Sequence, residues 1–180
     1  MTCSDPAAPV EQKMPVFSIY LLRDASMTTV EALKFDLSEL ELRSAPMLTD
    51  FGFQSYYLTS HTIELGIPLN TFFKEKEIFQ KPEGTPFVVV AEGERIYLGS
   101  FQALLPFAYY VAPCIRGDLE NDWFSNRTRF RIAMAAVMGD KSQFKDVRYD
   151  ERVIEALEKT GKLNMSDDYI TEEGDVIYSP

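Results

Sequence analysis

TPFVVVAEGERIYLG, residues 85–99, combines a dense run of apolar, β-branched residues, a Glu92-Gly93 pair and a second run whose side chains alternate. Two such runs around a glycine-bearing turn specify a β-hairpin. Glu92 is a poor residue for the positive φ that a two-residue type I′ turn imposes, whereas Gly93 accepts it freely. The sequence therefore predicts a type I turn at Ala91-Glu92 with Gly93 as a G1 bulge. On that register Val90 faces Glu94, Val88 pairs with Ile96 and Phe87 pairs with Tyr97. Val88, Val90 and Ile96 would share one face, and Phe87, Val89 and Tyr97 the other. Both faces are apolar, so the hairpin is expected at the centre of the fold, covered on each side.

Working outward, VFSIYLL at 16–22 reads as a first strand, and 53–58 with 61–65 as two short strands joined at Thr59-Ser60. A short helix is expected at 29–35. In 69–79 the period changes, with Leu69, Phe72, Phe73 and Phe79 at helical spacing, until Pro82 forbids continuation. The apolar stretch 103–115 carries Pro106 and Pro113, which suits an edge strand at 109–112 because proline cannot donate to a ladder. Residues 129–137 suit a final strand. Asp150 is placed to cap a helix through Lys159, with Val153, Ile154 and Leu157 inward and Gly161 as its stop. The expected fold is α+β: a mainly antiparallel sheet with a central hairpin and a few packed helices, in one domain at 15–163. A flexible leader at 1–14 precedes it and a carboxylate-rich peripheral tail at 164–180 follows.

Charge narrows the partners. The 180-residue chain carries 28 acidic and 18 basic side chains, a formal net charge of -10. That argues against nucleic acid, whose binding rests on clustered Lys and Arg that displace counterions. An anionic membrane surface would repel it as well. The sequence has no apolar run long enough to span a bilayer, so membrane attachment is expected only through a lipid anchor. Cys3 supplies the candidate: a thiol at the head of a polar linker is where a bacterial lipoprotein carries its lipid after signal-peptide removal. Against this, Met1-Thr2 cannot itself be a signal peptide, and the alternative is a cytoplasmic protein with an ordinary tail cysteine.

Four segments, SIYLL at 18–22, SYYLTSHTIEL at 55–65, TPFVVVAEGERIYLGSF at 85–101 and DERVIEALEKTGKL at 150–163, together resemble an uncharacterised group of bacterial secreted proteins and lipoproteins. They cover about a quarter of the chain. The resemblance implies an extracytoplasmic, membrane-anchored location and a common fold, and it carries no catalytic residue and no cofactor.

Chemistry-bearing residues are sparse. His61 is the single histidine, which excludes sites with two histidine ligands from one chain. As a general base it would need Ser60 or another nucleophile in reach and a carboxylate to orient it. Cys114 lies in an apolar stretch and reads as a small core side chain. Asp118, Glu120 and Asp122 place hard oxygen ligands close together, the donor type a Ca²⁺ ion takes, although their spacing does not match an EF-hand loop. Phe101, Tyr109, Trp123 and Phe124 gather around the segment after the hairpin, where they could line a groove.

The leading expectation is a non-enzymatic cell-envelope domain that binds an envelope protein, a peptide or a small ligand through that aromatic patch. The competing reading is a hydrolase that uses carboxylates with His61. If Cys3 is an anchor, expression of the native gene with labelled fatty acid should label the protein, and Cys3→Ser should remove the label. A cytosolic product that begins at this Met1 would end the idea.

Overall fold

The computed structural model describes residues 14–74, 76–103, 112–134 and 145–166. Its strands are β1 (Phe17–Leu21), β2 (Leu48–Thr49), β3 (Ser55–Tyr57), β4 (Thr62–Glu64), β5 (Thr85–Ala91), β6 (Glu94–Gln102), β7 (Pro113–Arg116), β8 (Arg129–Met134) and β9 (Leu163–Asn164). They form one nine-stranded sheet in the order β2-β1-β5-β6-β7-β8-β4-β3-β9. The pairs β6/β7 and β3/β9 are parallel and the others antiparallel. The helices are α1 (Thr29–Ala32), α2 (Leu69–Phe72), α3 (Asp122–Ser125) and α4 (Glu151–Lys159), with 3-10 turns at Lys76–Phe79 and Val147–Tyr149.

This corrects the expected α+β fold, a mainly antiparallel sheet with packed helices. The protein is mostly a curled mixed sheet, and among the described residues α4 alone exceeds four residues. Parallel pairs arise where no tight turn joins the strands. β9, for instance, is reached through α4, whose end is a Schellman turn. Gly161 at φ 68° donates to the Glu158 carbonyl at 2.9 Å, and Lys162 donates to Leu157 at 2.9 Å. The chain then runs straight alongside β3, where Tyr56 donates to the Lys162 carbonyl at 2.8 Å. Nothing local in the sequence encodes that pairing. The cap at the other end of α4 was legible: Asp150 accepts from the Arg152 amide, and Val153 and Leu157 are buried, with Ile154 partly so.

The hairpin forms, but with another turn. Ala91 pairs with Glu94, and both Glu92 (φ 49°) and Gly93 (φ 85°) are left-handed. This is the two-residue type I′ turn, which matches the right-handed twist of the strands. Glu92 is held there from two sides. Its amide donates to the Val16 carbonyl at 2.7 Å, and its carboxylate pairs with Lys159 of α4. The bulge sits further along, where Val89 faces Tyr97 and Val90 faces Arg95, leaving Ile96 as the extra residue. Val88 therefore pairs with Leu98 and Phe87 with Gly99, not with Ile96 and Tyr97. Gly99 is required: a Cβ there would lie 2.2 Å from the Phe87 ring.

Both faces of β5 are covered, as expected. Phe87, Val89 and Ala91 enter the larger cluster, inside the curl, with Phe17, Tyr56, Tyr97, Phe101 and Leu157. Val88 and Val90 enter a smaller cluster with Leu22, Ala32 and Leu40. Ile96, expected beside Val88, packs on the larger cluster because the bulge turns it over. α1 lies on the smaller cluster, opened by a capping box in which the Thr28 hydroxyl accepts from the Glu31 amide and Glu31 accepts from the Thr28 amide. Arg95 secures the segment beside it, donating to the Leu37 and Leu40 carbonyls, each at 2.7 Å, and to Ser38 at 3.0 Å.

The curl is visible in the rings. Phe17 of β1 meets Tyr56 of β3 with centroids 6.3 Å apart, although five strands separate β1 from β3 within the sheet. The expected edge strand at 109–112 lies outside the described residues except for Ala112. Pro113 opens β7, an internal strand, at the first position, where its missing N–H does least harm. Val88 is completely buried in an apolar cluster, so Val88→Asp should cost more than about 3 kcal/mol and abolish cooperative urea unfolding from a native state. A soluble variant with a near-native urea midpoint would contradict the two-sided burial.

Candidate functional site

A groove of about 700 Å³ opens beside the end of β1, between residues 42–47 and residues 72–78. Its origin lies in mismatched chain lengths. Arg43 donates to the Leu21 carbonyl at 3.0 Å and Met47 to Ile19 at 2.8 Å, so four residues of this segment advance while β1 advances by two. The surplus, Ser44-Ala45-Pro46, loops off the sheet, and Pro46 has no N–H to bring it back. The opposite wall exists because the helix expected over 69–79 breaks. Phe73 leaves helical geometry at ψ 87°, giving α2, a kink and the 3-10 turn in place of one continuous helix.

The groove's walls are core side chains exposed at their edges: Leu21, Phe73 and Ile78 are buried, and Met47 and Phe72 pack on the same cluster. Phe73 is fixed by rings on several sides, with centroids 4.8 Å to Phe72, 5.4 Å to Phe79, 5.6 Å to Phe130 and 5.8 Å to Phe101. Those edge-to-face contacts make the apolar wall rigid. Arg23, Arg43 and Lys74 are the charged residues among the lining residues, and none of the described lining residues is a carboxylate. Arg23 also pairs with Glu41 at 3.3 Å, both side chains about three-quarters exposed.

A second polar centre lies in the core. His61, at φ 51° in the turn between β3 and β4, is 1% exposed. Its Nδ1 is 2.9 Å from the Tyr56 hydroxyl, and its ring stands edge-on to Tyr149 at 4.4 Å. Nε2 has no hydrogen-bond partner among the described residues. Burial, reinforced by Arg148 and Arg131 and opposed by Asp146, pulls its pKa down from 6.5 to about 4. The ring is therefore neutral at pH 7. Arg148 is clamped by Asp146, its Nε 2.8 Å from Oδ1 and its Nη2 2.5 Å from Oδ2, while Nη1 donates to the Ile132 carbonyl at 2.7 Å. Burial also pushes the Tyr56 and Tyr97 hydroxyls well above the usual tyrosine range.

The residues singled out from sequence are scattered. Ser60 Oγ donates to Thr62 Oγ1 at 3.0 Å, so its hydrogen bond runs away from His61. Phe101 and Phe124 are buried core rings, each packed against Phe79, and Phe101 reaches the groove only through Phe73. Trp123 lies within α3, and Tyr109 and Cys3 lie outside the described residues. Asp118 Oδ1 accepts from the Glu120 amide at 3.0 Å, and Asp122 opens α3. Among the described residues no three acidic, His or Cys side chains converge as a metal site requires. Cys114 is completely buried, with its thiol pKa raised chiefly by that burial.

The groove's own residues were missed because they come from three distant segments, each unremarkable alone. No protein-family model matches the chain, and no curated protein or solved structure matches it either.

The buried imidazole generates a pH prediction. A histidine whose folded pKa lies below its unfolded value keeps its stabilising contribution fully above about pH 6.5 and loses it as pH falls toward 4. The shift corresponds to roughly 3 kcal/mol at most. His61→Gln should therefore flatten the slope of unfolding free energy between pH 6.5 and 4, measured by urea titration. An unchanged slope would show that His61 does not carry it.

Proposed function

We propose that this protein is a binding module, not an enzyme, and that it holds a small amphipathic ligand in the groove between residues 42–47 and 72–78. The carrying observation is a preformed groove of about 700 Å³ walled by the edges of core side chains. Ligand sites have this size and makeup, and the mouths of curled sheets are a usual place for them. The chemistry within it suits binding better than catalysis. The ionisable groups among its described lining residues are two guanidiniums and an ammonium, none of them a nucleophile or a general base at neutral pH. His61, the basis of a hydrolase reading, is sealed in the core with Tyr56 on its Nδ1.

The ligand site thereby moves from the aromatic residues after the hairpin to the far end of β1. An envelope location and a lipid anchor at Cys3 fit a ligand-binding module. They rest on the leader and on the four resembling segments alone.

Nile red, a neutral amphipathic dye, tests the groove. The folded protein should bind it saturably with enhanced fluorescence. Ala45→Trp, at an exposed position on the rim, should reduce affinity at least about tenfold with the circular dichroism spectrum unchanged. Equal binding by the variant would remove the groove as the site.

A further inference from the structure

We propose that His61 is the pin of an acid-sensitive latch: the turn between β3 and β4 and the 3-10 turn at Val147–Tyr149 close over its neutral ring, and its protonation opens them while the rest of the sheet stays folded.

The closed state has no place for a second ring proton. Nδ1 is taken by the Tyr56 hydroxyl at 2.9 Å, and Nε2, in a side chain 1% exposed, has no partner among the described residues. Protonation would therefore leave a buried N–H of a cation unpaired. The charged and titratable groups around the ring offer no relief. Tyr56 of β3 and Tyr97 of β6, which acts on Tyr56, are both neutral, and Arg148 of the 3-10 turn and Arg131 of β8 repel a positive charge. Asp146 is the carboxylate that would attract it, but Arg148 engages both its oxygens. Oδ1 accepts from the Arg148 amide at 3.1 Å and Nε at 2.8 Å, and Oδ2 accepts from Nη2 at 2.5 Å. Tyr149, on the same turn, meets the imidazole through its ring.

The route to water is short. Of the two tyrosine rings described against the imidazole, Tyr56 is completely buried, whereas Tyr149 is 47% exposed. Tyr149 is thus a cover that can leave without opening the core. The backbone bonds that close the two turns are long: His61 donates to Leu58 at 3.4 Å, Tyr149 to Asp146 at 3.2 Å and Asp150 to Val147 at 3.3 Å. Those that hold the flanks are shorter, with Ile132 donating to the His61 carbonyl at 2.9 Å and Arg148 Nη1 to the Ile132 carbonyl at 2.7 Å. Short turns with weak closing bonds open at low cost, and the left-handed φ of 51° at His61 adds strain that opening relieves. The open ring takes a proton near pH 6.5 and the closed ring only near 4, so the latch is held above pH 6.5 and loosens as pH falls between these values. From pH 7 to pH 5 that difference raises the open population by up to about twentyfold.

Amide hydrogen exchange followed by NMR, corrected for the intrinsic effect of pH, tests the latch. At both pH values the amides of Tyr149 and Asp150 should open at least about tenfold more often than those of β5, and by up to about twentyfold more at pH 5 than at pH 7. His61→Gln should abolish that rise. His61 is the single histidine, so its ring resonances report the same event without overlap. Tyr149→Ala should move the imidazole titration from about 4 toward 6.5 with the circular dichroism spectrum unchanged, and Tyr149→Phe, which keeps the ring, should not. Exchange of the Tyr149 and Asp150 amides at the rate of β5 would make the opening global and overturn the latch. An imidazole that titrates alike in the parent and in Tyr149→Ala would overturn it as well, and this comparison decides alone if His61→Gln does not fold.

Discussion

Val88 and Val89 are adjacent and both completely buried, on opposite faces of β5. A strand in that position cannot be half-solvated, so the rest of the chain must supply two covers. One is small: α1 and residues 37–42, held by the Arg95 guanidinium on three carbonyls. The other is made by the sheet itself, which curls until strands near its two ends touch through Phe17 and Tyr56. α4 contributes Val153, Ala156 and Leu157 to the same interior.

A curled sheet must be closed at its mouth as well as along its faces, and here the closure is incomplete. A continuous helix over 69–79 would have offered one regular apolar stripe. Its break at Phe73 instead sends that ring into a set of four others and leaves Ile78 to start a second wall. On the opposite side, Ser44-Ala45-Pro46 cannot follow β1 because the spacing of the hydrogen bonds around it is unequal. The groove is the space left between two local departures from regular structure. Its apolar walls are the core's own residues, which explains how it can be apolar without exposing a separate hydrophobic patch.

The His61 centre shows the other use of polar groups. The imidazole is buried against the Tyr56 hydroxyl, and Arg148, which acts on it electrostatically, is held by Asp146, since a buried charge needs a partner. Arg148 spans from Asp146 to the Ile132 carbonyl, tying the 3-10 turn before α4 to β8. The histidine that looked most like chemistry in the sequence thus acts as a spacer between tyrosine rings.

Alternation and capping residues made much of the fold legible. The apolar run of 85–91 announced a strand covered twice, Asp150 announced a helix start, Gly161 announced a stop, and 53–65 announced the β3/β4 pair. These depend on neighbours within a few residues, which sequence displays directly. The turn at Glu92-Gly93 was misread because strand twist and the Lys159 contact outweigh the local dislike of glutamate for positive φ. The parallel pairs, the curl and the groove were not legible at all. Leu21, Met47 and Phe73 come to line one groove only when β1, the looped-out segment and the broken helix meet. What the sequence determined was therefore which segments must be buried and where they start and stop. Which of those segments meet to form the groove was decided only by the tertiary structure, because that depends on contacts between segments far apart in the chain.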